Sequence, residues 1–440
     1  MIVTYSKLIV RSPLILYKKF VSGKLKELSL SFNHLTELDD DCFIGIEESL
    51  DILELSFAFA TDVFPQRALR PLTNLLWLVL DNNNFQSIEA TAFYSFQQLR
   101  YINLESNRLH YLPERIFLSS VHPELRDVKL GYNFLEAIPE SSFHNLTQLR
   151  SLDLTGNRIK VLSSSSIMDC PRLVTISLAY NRIFKMEKNA FYGLSKLRFL
   201  HLEFNKLTVL DLESISEIGG PDFALNVSYN TLNLRDNKIE ILRKQSFHGL
   251  ESLQQLDLSG NEITQLSTEQ FRNLRNLRIL NLSSNKIRSL PRDVFEGTRL
   301  EILDLSENKF TVVPSLSFLE DQIQNAFTKQ LRELTITGSD LEVISSEAFS
   351  TIEGGELILR IKDTRVRRLQ SDIFLSLTKR LSQLTLDLRN NHINELSPSV
   401  IYGNLSWETV GTNMVAGKII IEYISFYTHM FQFHRKFHRK

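Results

Sequence analysis

The amino-acid sequence predicts an α/β solenoid: short parallel strands stacked coil upon coil, joined by irregular or helical returning segments. Three observations predict it. A set of five apolar and Asn positions recurs at a period of about 24 residues. The strands so marked are only a few residues long and alternate inward and outward positions. Phe is over-used, with 29 residues against 2 Trp, as one recurrent aromatic slot would require.

The repeat is explicit at Leu149, Leu152, Leu154, Asn157 and Ile159. It returns at Leu173, Ile176, Leu178, Asn181 and Ile183, and again at Leu197, Leu200, Leu202, Asn205 and Leu207. Later copies run through Leu253, Leu256, Leu258, Asn261 and Ile263, then Leu277, Leu280, Leu282, Asn285 and Ile287. Its polar slot holds Asn33, Asn83, Asn107, Asn133, Asn157, Asn181, Asn205, Asn237, Asn261, Asn285, Asn308 and Asn391. Ala58, Ser339 and Thr364 occupy the same slot in degenerate copies. No coil can bury its own apolar face, so each depends on its neighbours. The predicted fold is a leucine-rich-repeat horseshoe with a parallel β-sheet on its concave face.

Each slot has a physical role. The central Leu-x-Leu points alternate side chains inward. The Asn amide satisfies loop backbone groups that would otherwise be buried unpaired. Phe93, Phe117, Phe143, Phe191, Phe247, Phe271, Phe295, Phe349 and Phe374 recur on the returning segment and predict a stacked aromatic spine behind the sheet.

The period places one repeat domain at residues 25–405, with an irregular segment 1–24 before it and a non-repeat tail 406–440 after it. Two joints interrupt it, near 211–236 and 315–330, the second predicting a longer helix over 317–329. The tail ends in two His-Arg-Lys triplets and reads either as frayed chain or as a membrane-surface anchor. Lys418 and Glu422 disfavour a span there. Near the N-terminus Lys7, Arg11, Lys18 and Lys19 break the apolar pieces, so no clean signal peptide is expected.

Composition excludes several functions. A formal net charge of -1 gives no whole-chain field for nucleic acid or anionic lipid. No phosphate-binding Gly loop and no metal-ligating His or Cys pattern occurs, so neither cofactor nor metal is expected. Two cysteines, Cys42 and Cys170, make no disulfide framework and favour a reducing compartment. They are expected roughly 25 Å apart, as buried free thiols. Asp153, Asp257, Asp304 and Asp387 recur inside Leu-x-Leu, and recurrence argues a solvated sheet face rather than catalysis.

Protein binding is what remains. The outward strand positions carry Trp77, Val79, Tyr101, Lys129, Phe199 and His201, and Tyr132, Tyr180 and Phe204 precede the repeat Asn. Aromatic groups on a solvated face are interface candidates; the alternative is that several tuck against neighbouring loops. N-glycosylation acceptors stand at Asn145, Asn226, Asn281 and Asn404. Asn281 is an outward strand residue, so a glycan there would cover part of the sheet.

A more specific signal lies in runs the repeat does not dictate. These are Leu53-Glu-Leu-Ser-Phe57, Phe64-Pro-Gln-Arg-Ala-Leu-Arg-Pro-Leu72, Trp77-Leu-Val-Leu-Asp-Asn-Asn83, Leu225-Asn-Val-Ser-Tyr-Asn230 and Leu384-Thr-Leu-Asp-Leu-Arg-Asn-Asn391. The repeats resemble the extracellular leucine-rich-repeat proteins of animals over residues 25–405. In these patches they are similar to the chaoptin-like family of insect photoreceptor adhesion proteins. The resemblance implies a glycosylated, lipid-anchored adhesion molecule at the cell surface, with no catalytic residues to carry over. No convincing signal peptide, Cys-rich terminal cap or lipid-anchor tail is expected from the sequence, a departure from that family of the kind a partial gene model would show. The expected partner is therefore a protein, either a second copy of the chain or a different one, with no nucleic acid, and a membrane only through an anchor not evident here. A Toll-like receptor ectodomain and a cytosolic scaffold are the alternatives.

Overall fold

A computed structural model describes residues 2–4, 25–210, 231–314, 330–394 and 418–420, except positions 165, 244, 245, 248, 346, 347, 351, 370–372, 375, 376, 378 and 379. The helix expected over 317–329, most of the joint near 211–236 and nearly all of the tail lie outside the described residues. The chain forms two compact units, Met1–Asn237 with His248–Ser252, and Lys238–Phe247 with Leu253–Lys440. Each unit is a parallel β-solenoid.

In the first unit the ladder runs through Glu27–Ser29, Ile52–Glu54, Trp77–Val79, Tyr101–Asn103, Asp127–Lys129, Ser151–Asp153, Thr175–Ser177, Phe199–His201 and Thr231–Asn233. Every neighbouring pair is parallel and in repeat register, so Leu53 faces Leu78 and Leu152 faces Ile176. The second unit runs through Gln255–Asp257, Ile279–Asn281, Ile302–Asp304, Glu333–Thr337, Gly354–Lys362 and Leu381–Asp387. Backbone pairing also reaches Ile2–Thr4, beside Glu27–Ser29, and Lys418–Ile420, beside residues 385–387.

The middle residue of each three-residue strand is buried and its neighbours are mostly half-exposed. Leu53, Leu78, Leu152 and Leu280 have no exposed surface. Burying such a side chain contributes about 1.5–3 kcal/mol. Behind the strands the returning segments are largely turns and two-residue strands. A short helix, Gln66–Leu69, forms between Pro65 and Pro71 and buries Ala68 and Leu69. Pro71 cannot continue a helix, which explains its brevity.

The repeat Asn residues lie between coils. Asn157 donates Nδ2 to Leu154 O at 2.9 Å and to Leu130 O of the preceding coil at 3.0 Å, while its Oδ1 accepts Leu135 N–H at 3.0 Å. Asn83, Asn107, Asn133, Asn181, Asn205 and Asn237 repeat this pattern in the first unit. Asn285, Asn308 and Asn391 repeat it in the second, and Asn261 accepts Ile239 N–H there. Asn33 donates to Leu30 O at 2.7 Å. The Phe residues stack behind the sheet. Phe117 lies 5.6 Å from Phe93 and 5.8 Å from Phe143, and Phe271 lies 5.9 Å from Phe247 and 6.0 Å from Phe295.

Candidate protein-binding surface

The outer strand positions of the first unit place Ile52, Trp77 and Tyr101 side by side. Trp77 is 44% exposed and stacks on Tyr101, with ring centroids 4.5 Å apart and planes 21° apart. Lys129 Nζ stands 6.0 Å from the Tyr101 ring centre. Burial raises the Tyr101 phenol and Lys129 opposes the rise, so the hydroxyl stays protonated at neutral pH. Val79 lies in the next column, opposite Glu54 and Asn103. Phe199 and His201 stand apart from this cluster. They pair with Thr175 and Ser177 on one side and Thr231 and Asn233 on the other. His201 Nδ1 approaches Glu203 at 3.7 Å. The strand candidates therefore form two groups rather than one patch.

A second row runs along the turn before each repeat Asn. Here the backbone is left-handed, with φ of 53° at Tyr132, 55° at Tyr180 and 56° at Phe204. Phe32 and Phe57 occupy the same slot with φ of 57° and 49°. Each amide donates to the next coil, as Tyr180 N–H does to Glu203 O at 3.0 Å and Phe204 N–H to Arg235 O at 2.9 Å. Tyr180 stacks on Phe204 at 4.3 Å, and Phe32 on Phe57 at 5.2 Å. Tyr132 lies over Gly156, where an added Cβ would meet its ring at 2.7 Å. Phe32 is 72% exposed, Tyr132 54% and Tyr180 53%.

A left-handed non-Gly residue costs on the order of 1–3 kcal/mol. The second unit fills the slot with Gly260, Ser284, Glu307, Gly338, Asp363 and Asn390, mostly residue types that suit it. Neither backbone strain nor burial therefore calls for aromatic rings there. Among the described residues the aromatic slots are confined to the first unit, where Asn82, Ser106, Gly156 and Asp236 interrupt them. Sequence reasoning found Tyr132, Tyr180 and Phe204 but missed Phe32, Phe57 and Ile52, although all three share the same repeat slots.

The strand-end acids have a structural role. Asp153 Oδ1 accepts Thr155 N–H at 2.9 Å, Asp257 accepts Ser259 N–H at 2.9 Å and Asp304 accepts Ser306 N–H at 2.9 Å. Asp387 takes Arg389 N–H at 3.2 Å and the Arg389 guanidinium, whose hydrogen bonding holds its carboxyl below the usual range. These are turns closed by a side chain two residues back. Asn281 does the same: its Oδ1 accepts Ser283 N–H at 3.0 Å and Ser283 Oγ–H at 2.7 Å. Asn145 is exposed in a turn of the returning side, while Asn226 and Asn404 lie outside the described residues. Burial raises Glu105, and Asp153 and Asp81 add to the rise against Lys129.

Cys42 and Cys170 are both buried and free, and burial pushes each thiol up to about 12, so both are protonated at neutral pH. Thiols held that way are poor nucleophiles. Among the described residues no cluster of three His, Cys, Asp or Glu could hold a metal ion. No helix among them is long and apolar enough to cross a membrane.

The family described as Leucine rich repeat matches residues 48–109, 73–119, 123–183, 171–219, 227–263, 259–310 and 275–320, and a second description, Leucine Rich Repeat, matches 24–46. Chaoptin of Tribolium castaneum is 28% identical over 88 residues, which is 20% of this chain and 11% of that protein. The match thus spans about a tenth of that relative's length. The leucine-rich-repeat protein LIC12759 of Leptospira interrogans superposes with a TM-score of 0.61 at 21% identity, covering 95% of this chain and 94% of the other. Drosophila Toll, in a structure of its complex with Spatzle, gives a TM-score of 0.60 at 17% identity, covering 84% of this chain and 54% of the other.

Proposed function

We propose that this chain, which belongs to the leucine-rich-repeat family, is a non-catalytic protein-binding module of extracellular cell adhesion. One observation carries the reading: among the described residues, stacked aromatic pairs stand at strained left-handed positions and on the open strands of one unit only. Aromatic anchors of this kind supply large contact area at little entropy cost. Their stacking in the free chain already holds them in place, so little ordering is needed on contact.

The binding groups are Trp77, Tyr101 and Lys129 with Val79, then Phe199 and His201, then Tyr132, Tyr180 and Phe204. A stable contact buries on the order of 1,200–2,000 Å². Either strand group is too small for that area alone, so the aromatic row along the turns belongs to the same contact. The similarity to chaoptin supports the adhesion setting. A receptor ectodomain that captures a protein ligand is the second reading, favoured by the likeness to Toll, which was solved bound to Spatzle.

The test compares beads coated with the wild-type chain and with a Trp77→Ala, Tyr101→Ala, Phe199→Ala variant. Adhesion to cells displaying the chain, and to cells of the native tissue, is scored. The variant is expected to lose most adhesion while its circular dichroism is unchanged. Undiminished adhesion with an intact fold rejects these anchors. Treatment of the native protein with a glycosidase tests the extracellular setting, through a mass loss that includes the Asn145 glycan.

A further inference from the structure

We propose that the flank of the first unit, at the row Arg108, Phe134, Arg158, Arg182 and Lys206, docks an acidic polypeptide segment of a partner. These five residues each follow the repeat Asn of successive coils. Their backbone is fixed by a second ladder: Arg108 N–H donates to Phe85 O at 3.0 Å, Phe134 to Leu109 O at 2.9 Å, Arg158 to Leu135 O at 2.8 Å, Arg182 to Ile159 O at 3.0 Å, and Lys206 to Ile183 O at 2.8 Å. Coils of a parallel sheet repeat at about 4.8 Å. The backbone positions of Arg158, Arg182 and Lys206 therefore stand in a file about 5 Å apart, with Arg108 two coils further back, and the Arg158 guanidinium leans over the Phe134 ring.

Nothing in the fold asks for that file. Arg108, Arg182 and Lys206 are exposed, and no carboxylate pairs with them among the described residues. The nearby acid that could serve, Glu136, is already taken by Lys160 at 2.7 Å. Glu136 shows what a carboxylate meets on this flank. The Lys160 hydrogen bond holds its carboxyl below the usual range, and Arg158 and Arg182 add to the pull. Further carboxylates laid along the row would meet the same attraction, and would relieve the repulsion among its cations.

The same row argues for polypeptide over other polyanions. Its aromatic ring, Phe134, has Arg158 over it at 4.2 Å and His110 against it at 5.4 Å. Binding of single-stranded nucleic acid relies on open ring faces for base stacking. Arg158 covers one face of Phe134 and His110 lies tilted against the ring, so the ring is not free for base stacking on the covered face. This flank does not share a residue with the open-face anchors, so the two contacts can fail independently.

The probe is a dye-labelled peptide of alternating Glu and Leu, titrated with the full chain at low salt and read by fluorescence anisotropy. Saturable binding is expected, weakening as salt is added. Arg158→Glu with Arg182→Glu is expected to weaken it by about tenfold or more, and Phe134→Ala by a few fold. Arg288→Glu with Arg292→Glu, the same charge change in the second unit, is expected to leave it within about twofold. No binding by the peptide overturns the proposal. So does equal weakening by both charge-reversal pairs, which would mark a general field. Tighter binding of heparin or an oligo-dT strand of equal charge overturns it in favour of that polymer.

Discussion

Replacing Asn181 by Ala tests the bonding that joins the coils. Asn181 Nδ2 donates to Leu154 O at 3.0 Å and Leu178 O at 3.1 Å, and Oδ1 accepts Ile159 N–H at 3.0 Å. The two carbonyls do not lose everything. Leu154 O keeps Asn157 Nδ2 at 2.9 Å, and Leu178 O keeps Asn205 Nδ2 at 2.9 Å. Ile159 N–H loses its acceptor inside a residue that has no exposed surface. A stranded buried donor costs about 1–3 kcal/mol. The thinned carbonyls, with Ala179 O at 3.2 Å as the third, add roughly 1 kcal/mol together, for a total of about 2–4 kcal/mol. Asn181→Asp keeps an acceptor but turns its other oxygen toward two carbonyls, so it should not rescue the loss. Long repeat arrays need not unfold in one step, so the assay is hydrogen exchange at Ile159 and its neighbours beside urea unfolding. Exchange at Ile159 should quicken by well over tenfold in Asn181→Ala, at about 1.4 kcal/mol per tenfold. Arg182→Ala, one residue away and exposed, should stay within about 0.5 kcal/mol. Unchanged protection at Ile159, or full rescue by Asp, would refute the bonding argument.

Two further predictions follow from buried groups. Burial lowers the basicity of His122 below its usual 6.5, although Nε2 meets Phe93 O at 2.9 Å and Nδ1 accepts Leu118 N–H at 3.2 Å. The unfolded chain then binds the proton more readily, so the contribution of His122 is complete above about pH 6.5 and is lost as pH falls below it. Melting temperature followed from neutral to mildly acidic pH should fall more steeply in the wild type than in His122→Gln; parallel curves would count against this. Phe271→Ala removes the middle ring of a stack and should cost about 3–5 kcal/mol in urea unfolding, against a smaller cost for Phe271→Leu; a loss under about 1 kcal/mol would mean the stack is not a packed spine.

The solenoid was legible from sequence because burial imposes the same demand on every coil. A Leu whose slot faces the core must be apolar in each copy, and an Asn between coils must bond to both, so the demand prints itself as a period. Register was legible for the same reason, which is why Trp77 and Tyr101 could be read as neighbours. The aromatic row was only partly legible. Phe32 and Phe57 share the slot of Tyr132; the coil of Phe32 keeps Leu25, Leu28, Leu30, Asn33 and Leu35, and that of Phe57 keeps Leu50, Leu53 and Leu55 with Ala58 in the Asn slot. The period marks only buried slots, however, and does not say which exposed residues matter. The strand-end acids read as solvated residues because recurrence reports that a position matters, not which bond it makes. Asp153 closing its turn on Thr155 N–H is a local geometry that no period encodes.

What the chain's order of residues determined by itself is the coil, its length and its buried identity, since these rest on apolar area that any copy must hide. Only the folded backbone decided that the slot before each repeat Asn is left-handed, that Glu136 is held by Lys160, and that Arg182 and Lys206 have no carboxylate paired with them among the described residues. Those facts depend on which side chains meet across coils more than twenty residues apart. The period places such positions in line, but which of their side chains bond is set by local geometry and sterics rather than by hydrophobicity, and no period encodes it.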